Sequence, residues 1–373
     1  MELSQQLIRT PYPDTQILND SISELDNAIV VPPKWNNKRE KRPKLGVFTK
    51  EKNFEQNSIN FTPKGQLNCQ PDFPEMPYSQ LDGNWMYMGP LLHHFGHFLT
   101  ESIARIWAWD KLHSDLDGLL FVPKQNNEKQ SELLNRYSKV IESLGVNTRY
   151  KLISKPTTVT KLFVPRVGLG VGSWMSGSRA FRDFARKRSS IRTTSAKKIY
   201  ISRFALSNRF SSYLGEGYFQ KFIKQCGYEV IHPQQLTIEE QVKILQQASH
   251  IISPEGTPLH LLSLVGNKNQ RVSIIPRRKA WGGRDFVGQL NTLAGAKAQK
   301  HDCLLAEWLP DTLKKLANYQ WGEIDFRSLV SELHDSSMID DNKLPFYLDT
   351  FDIDEELEAI KAMTGTELKR RAV

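Results

Sequence analysis

The amino-acid sequence predicts an α/β protein built from two domains. Three observations carry this reading. The chain has 373 residues, beyond the size at which a single hydrophobic core keeps growing. From Asn84 onward, short apolar runs of strand type alternate with segments of helical periodicity, which implies parallel βαβ units. Between the two halves, residues 167–195 change character. There Gly168, Gly170, Gly172 and Gly177 precede a basic stretch and a Ser- and Thr-rich run, Ser189–Ser195, which reads as a linker. The expected division is 1–190, 191–335 and a helical tail at 336–373, whose packing back onto the first domain is one open arrangement.

Taken in order, residues 1–45 read as a peripheral arm, with prolines scattered among polar residues and one strand at Ala28–Val31. Trp85–Gly89 reads as a strand. After His93–His97, the residues Phe98, Ile103, Ile106 and Trp107 fall on one helical face, with Arg105 and Asp110 elsewhere on the wheel. Gly118–Val122 has the make-up of a buried strand. Asn127–Leu144 is helical, with Leu133, Leu134, Tyr137, Val140, Ile141 and Leu144 on one stripe and Gly145 closing it. Lys161–Val164 is a short strand, and a basic helix runs from about Ser178 to Arg188.

The second half alternates more regularly. Strands are expected at Lys198–Ser202, Tyr228–Ile231, Ile251–Ser253 and Arg271–Ile275. Helices are expected at Gly217–Gln225, Ile238–Ala248 and Pro258–Leu264. Thr237 followed by Glu240 has the spacing of a capping box. This succession resembles half of a doubly wound nucleotide-binding architecture. Short helices follow Trp308, then an acidic amphipathic helix at Asp354–Ala362.

Composition narrows the function classes. Apolar residues make up 39% and charged residues 24% of the chain, so it is neither disordered nor a membrane bundle. No apolar stretch reaches the roughly 18 residues of a spanning helix, and Met1–Asn19 lacks the apolar region of a signal peptide. A cytoplasmic protein is expected. Cys69, Cys226 and Cys303 lie far apart without metal-ligand spacing and read as free thiols. The net charge of +9 is concentrated at Lys38–Lys44, Arg179–Lys198 and Arg277–Arg284. No nucleic-acid-binding signature accompanies these runs. They read as solvated faces, or as surfaces meeting anionic lipid or a phosphorylated substrate.

The most specific chemistry lies at Glu255–His260. A strand ends at Ser253, and Pro254-Glu255-Gly256 leads into Thr257-Pro258-Leu259-His260. Thr257 is a favoured N-cap, Pro258 suits the first helical turn, and Gly256 admits a close ligand. The N–H groups of Leu259, His260 and Leu261 are then expected to face an anion at the positive end of the helix dipole. An ordinary capped helix without a ligand has the same sequence. Glu255 beside a phosphate is the odd member, and reads as an acceptor for hydroxyl or amide hydrogens of a ribose or sugar. Tyr200-Ile201-Ser202-Arg203 places an arginine at a strand end, with Asn208 and Arg209 in the loop beyond. Arginine forks suit phosphate oxygens; a loop arginine paired with Glu216 is the alternative. Trp281 is a candidate for stacking on a base or sugar, or for surface packing.

A second candidate is His93-His94-Phe95-Gly96-His97-Phe98-Leu99-Thr100-Glu101. His97 and Glu101 are four apart and share a helical face, a general-base arrangement. The spacing lacks the second helical histidine of zinc proteases, so no metal is expected. His94 and Gly96 are candidates for the acceptor side. Asp115-Leu116-Asp117 and Asp352-Ile353-Asp354 match a short Asp-x-Asp pattern, which two residues alone define weakly.

These segments resemble the family 61 glycosyltransferases, in particular their bacterial branch of capsular polysaccharide biosynthesis proteins. The resemblance rests on Gly96–Glu101 with Arg105-Ile106-Trp107, on Tyr200–Arg203, on the helix Thr237–Ala248, and on Ser253–His260 followed by Arg271–Ile275. It spans roughly 84–276 and departs from the family at the turn, where Glu255-Gly256-Thr257-Pro258 replaces the more common His-Gly-Ala-Gly. It implies a GT-B architecture, two Rossmann-like domains facing across a cleft. It also implies inverting, metal-independent transfer from a nucleotide-diphosphate sugar, with a UDP-sugar foremost, and no cofactor. The acceptor implied is an oligo- or polysaccharide of capsule or another surface polymer, lipid-linked acceptors included, handled at the inner face of the membrane. On this resemblance Glu101 is the base and His97 its partner. Arg203, Arg209 and Glu255–His260 hold the donor. A sugar-nucleotide epimerase and a non-enzymatic basic polysaccharide- or lipid-binding protein are the competing expectations.

Overall fold

The computed structural model describes residues 18–34, 42–62, 65–76, 78–124, 129–189, 196–206, 212–279, 284–310 and 320–373. The chain divides into two compact units, Met1–Ile191 and Arg192–Val373.

The first unit holds β1 (Ile22–Val31), β2 (Gly46–Phe48), β3 (Phe61–Thr62), β4 (Gly65–Gln66), β5 (Ser79–Leu91), β6 (Gly118–Pro123), β7 (Arg149–Leu152) and β8 (Thr157–Pro165). Six of them form a sheet in the order β2-β1-β8-β5-β6-β7, and β3 and β4 form a separate hairpin. The parallel pairing expected from the sequence holds for β8, β5, β6 and β7. β1 runs antiparallel to β8 and β2, so the sheet is mixed. β5 lies in the middle. Its Trp85–Leu91 stretch is buried throughout, as a central strand covered on both faces requires. The helix α1 (Gln130–Ser143) buries Leu133, Leu134, Tyr137, Val140 and Ile141, the stripe read from the sequence. A second helix, α2 (Arg179–Ser189), buries Phe181 and Phe184; Arg179, Arg186 and Lys187 face outward, while Arg188 is largely buried and forks onto Asp110.

Two expectations in this unit are corrected. The described part of residues 1–45 is no peripheral arm: β1 is paired on both sides within the sheet, and Ala28, Val30 and Leu45 belong to the core. The stretch after His94 is not a continuous α-helix. It makes one short α turn (Phe95–His97), a π-helical turn (Phe98–Ser102) and a 3-10 turn (Ile106–Ala108). The N–H of Ile103 reaches back five residues to the carbonyl of Phe98 at 3.2 Å. Phe98, Ile103, Ile106 and Trp107 are all buried as predicted, but Arg105 is buried with them.

The second unit opens with β9 (Lys197–Ile201), α3 (Glu216–Gln225), β10 (Glu229–Ile231), α4 (Ile238–Gln247), β11 (Ala248–Pro254), α5 (Thr257–Val265), β12 (Arg271–Ile275), α6 (Arg284–Gln289) and β13 (Lys297–Lys300). The strands run parallel in the order β10-β9-β11-β12-β13. Chain order therefore reverses between β9 and β11, a topological switch point. The capping box of Thr237 and Glu240 forms as expected. Beyond β13 come β14 (Leu304–Pro310), β15 (Trp321–Ile324), α7 (Phe326–Asp335), α8 (Phe346–Asp349), α9 (Ile353–Thr364) and β16 (Leu368–Ala372). β14 pairs antiparallel with both β15 and β16. Residues 336–373, read as a helical tail, supply Met338, Ile339 and Leu348 to the core around Phe219 and Phe326 in this same unit. Among the described residues, no helix is long and apolar enough to cross a membrane.

Candidate functional site

Each unit carries one cluster of charged side chains at the carboxyl end of a central parallel strand. In the first unit the cluster follows β5. Nδ1 of His97 lies 2.6 Å from Oε2 of Glu101. The two differ sharply in exposure: the His97 side chain is 53% accessible and that of Glu101 only 3%. A buried carboxylate thus meets solvent through a half-exposed imidazole, which is a geometry for taking a proton from an approaching hydroxyl. The π-helical turn places Glu101 there, and such turns recur at functional sites.

The other histidines frame this pair. The rings of His94 and His97 meet edge to face, 5.1 Å apart. Burial, and then the neighbouring His97 and His93, hold the His94 imidazole below its ordinary pKa. The buried Gly96 accepts the Thr100 hydroxyl at its carbonyl, 3.0 Å away. Tyr137 on α1 donates its hydroxyl to the carbonyl of His93 at 2.7 Å and packs its ring on Phe98, fixing the start of the turn.

In the second unit the cluster sits at the switch point. Arg203 follows β9 and Glu255–Gly256 follows β11, and these two strands are neighbours. A Cβ on Gly256 would come within 3.0 Å of Nη1 of Arg203. The alternative pairing of Arg203 with Glu216 is present in a different form. Oε1 of Glu216 accepts the main-chain N–H of Arg203 at 2.7 Å, together with the hydroxyls of Tyr200 and Ser202. Glu216 therefore fixes the backbone that carries the arginine. Burial, the largest influence, lowers the pKa of the Arg203 guanidinium, and Glu216 opposes that shift.

Two expectations at this turn are corrected. Glu255 is fully buried, and its Oε1 accepts from Nε of Arg278 at 2.8 Å while its main-chain carbonyl accepts from Nε of Arg277 at 2.9 Å. The acceptor role expected of Glu255 is met at Oε1 by Arg278, in place of a ribose or sugar hydroxyl. The helix also begins one residue earlier than its caps suggested. Gly256 is the N-cap, with Thr257 and Pro258 in the first turn. Leu259 donates to the carbonyl of Gly256 at 3.1 Å. The N–H groups of His260 and Leu261 fall within the helical ladder, so the donors left at the opening are those of Gly256 and Thr257. His260 pairs its Nδ1 with Oε1 of Gln289 at 2.8 Å and lies against Phe286. Asn208, Arg209 and Trp281 lie outside the described residues.

The two Asp-x-Asp matches have structural partners. Asp117 accepts from Asn84 and Arg149, and Asp352 caps α9 through the N–H groups of Asp354 and Glu355. The sequence marked Arg277 and Arg278 only as part of a basic run and Glu216 only as an alternative partner of Arg203, and assigned none of them to the Glu255–His260 turn. Their signal was positional: Arg277 and Arg278 come just after β12, the neighbour of β11, and Glu216 opens the helix after β9.

Residues 95–271 match the family model described as Glycosyltransferase 61. The chain is a glycosyltransferase. No curated protein matches it. The matched segment of this glycosyltransferase runs from the short α turn before Glu101 to the first residue of β12. It holds His97, Glu101, Arg203 and the whole Glu255–His260 turn, and stops before Arg277 and Arg278. Such an enzyme handles a sugar donor and a glycan acceptor, which favours transfer over the epimerase and non-enzymatic expectations.

Proposed function

We propose that this enzyme transfers a sugar, with inversion, from a nucleoside-diphosphate sugar to the hydroxyl of a glycan acceptor, and needs no metal to do so. The observation that carries the donor half is the convergence of Arg203, Arg277 and Arg278 on the Glu255–Thr257 turn at the switch point of a parallel sheet. Open α/β sheets bind ligands at that place. Two carboxylates, Glu255 and Glu216, against three guanidiniums leave a surplus of one positive charge. That surplus, with the Gly256 and Thr257 N–H groups, stabilises a departing diphosphate electrostatically.

The acceptor half rests on the His97–Glu101 pair. Glu101 takes the proton of the attacking hydroxyl, and His97, the solvent-facing member of the pair, orients the carboxylate or shares the proton. The oxygen attacks the anomeric carbon, the bond to the diphosphate breaks, and the nucleoside diphosphate leaves with the electron pair. A single base suffices for inversion. In this reading the two units are the paired Rossmann-like halves of a GT-B enzyme, the first serving the acceptor and the second the donor. The donor is a UDP-sugar and the acceptor a capsular or other surface polysaccharide, as the resemblance of the sequence suggests.

Calorimetric titration with UDP tests the donor site. Arg203→Ala is expected to weaken binding by roughly tenfold or more, in the range of one lost charged hydrogen bond. Unchanged affinity would remove Arg203 from the cradle.

A further inference from the structure

Arg105 has no exposed surface, yet its guanidinium is fully hydrogen-bonded. Nε donates to the carbonyl of Pro165 at 2.8 Å. Nη1 donates to Oδ1 of Asn60 at 2.6 Å and to the carbonyl of Met88 at 3.2 Å. Nη2 donates to the carbonyls of Asn57 and Ile59 at 2.7 and 3.1 Å. These acceptors match all five donors of an arginine. The group fits only because residue 89 is glycine: a Cβ there would lie 2.7 Å from Nη1. Gly89 also has a φ of +91°, which disfavours any side chain. Burial draws the Arg105 pKa down to about 10, still well above neutrality, so a cation is locked inside the first unit.

Asn60 is the one side chain among these acceptors. Its backbone is pinned on both sides, the N–H by Oδ1 of Asn68 at 2.7 Å and the carbonyl by the N–H of Leu67 at 2.7 Å. Its Nδ2 donates to the main-chain carbonyl of Glu101 at 3.1 Å. One amide group therefore joins the buried cation to the backbone of the π-helical turn that carries Glu101. A second tie runs beside it: Ser102 donates to the carbonyl of Pro90 at 2.8 Å and accepts the N–H of Leu92 at 2.9 Å.

We propose that Asn60 is a positioning residue for the transfer reaction: held by Arg105, it sets the register of the Glu101 turn and so the place of the catalytic carboxylate. The residue lies outside the segment matching the family model and in a part of the chain whose patterning suggested no chemistry. The inference rests on the reading of Glu101 as the base.

Asn60→Asp separates positioning from scaffolding. An aspartate keeps an oxygen for Arg105, and the adjacent guanidinium holds it ionised. It replaces the donor facing Glu101 by an acceptor, which repels that carbonyl. The expected result is a melting temperature close to that of the natural protein, a KM for the donor within about twofold, and a kcat lowered by ~100-fold, the scale set by a displacement of about 1 Å at a reacting group. A natural kcat in the folded variant overturns the proposal. So does a fall in kcat accompanied by a large fall in melting temperature, which would assign Asn60 to the scaffold. Glu101→Gln measured alongside keeps the two readings apart. If Glu101→Gln turns over normally, the base assignment itself fails. If Glu101→Gln is inactive while Asn60→Asp is not, only the positioning role fails.

Discussion

Nε of Arg278 donates to Oε1 of Glu255 across 2.8 Å, and the Glu255 carboxylate it meets has no accessible surface. Removing one member of such a pair leaves the other buried and unpaired, which costs far more than the pair contributes net. Arg278→Ala is expected to lower the unfolding free energy by about 3 kcal/mol or more, measured by denaturant titration. A variant as stable as the natural protein would show that Glu255 is compensated by another group.

Gly256 has an extended backbone, φ 165°, which any residue adopts. What a side chain meets there is Arg203, whose Nη1 would lie 3.0 Å from a Cβ. Gly256→Ala should therefore leave the melting temperature nearly unchanged and weaken UDP binding several-fold by pushing the guanidinium aside. Equal affinities for the two proteins would mean that the close approach has no bearing on the ligand.

Glu356 on α9 accepts the N–H of Gly215 through Oε2 at 2.7 Å. Burial raises its pKa; the Gly215 bond opposes the shift and Glu216 adds to it. A carboxyl group whose folded pKa lies above its unfolded one favours the fold when protonated. That contribution is fully present below the ordinary carboxylate value and is lost as pH rises through the folded value. Stability should therefore show a downward step on the alkaline side of the ordinary carboxylate range. Glu356→Gln, neutral at every pH, should lack the step and exceed the natural protein in melting temperature at pH 7. Superimposable profiles would contradict this.

The charge needed at the leaving group comes from arginines in this account. Activity is expected to survive exhaustive treatment with EDTA. Complete loss, reversed by manganese, would assign that role to a metal instead.

Much of the second unit was legible because its signals are local. Apolar runs ending in glycine, the Thr237 and Glu240 cap, and Pro258 just inside a helix each act within a few residues. Arg271–Ile275 is the strand the sequence predicted. The first unit was less legible where distant residues decide the outcome. Periodicity placed Arg105 away from the apolar face, because nothing nearby announces acceptors at Asn57, Ile59, Asn60, Met88 and Pro165. A π-helical turn also has no periodicity of its own over five residues, so Phe98–Ser102 read as ordinary helix. At the candidate site, His97 and Glu101 were legible from their spacing. The arginines at 277 and 278 read as a solvated run or as a face for an anionic partner, and only Glu255, more than twenty positions earlier, gathers them at the turn.

The most direct measurement is single-turnover transfer by Glu101→Gln, followed together with UDP affinity of the same protein. Transfer is expected to fall by several orders of magnitude while UDP binds as it does to the natural enzyme. Transfer at the natural rate would contradict the assignment of Glu101 as the base.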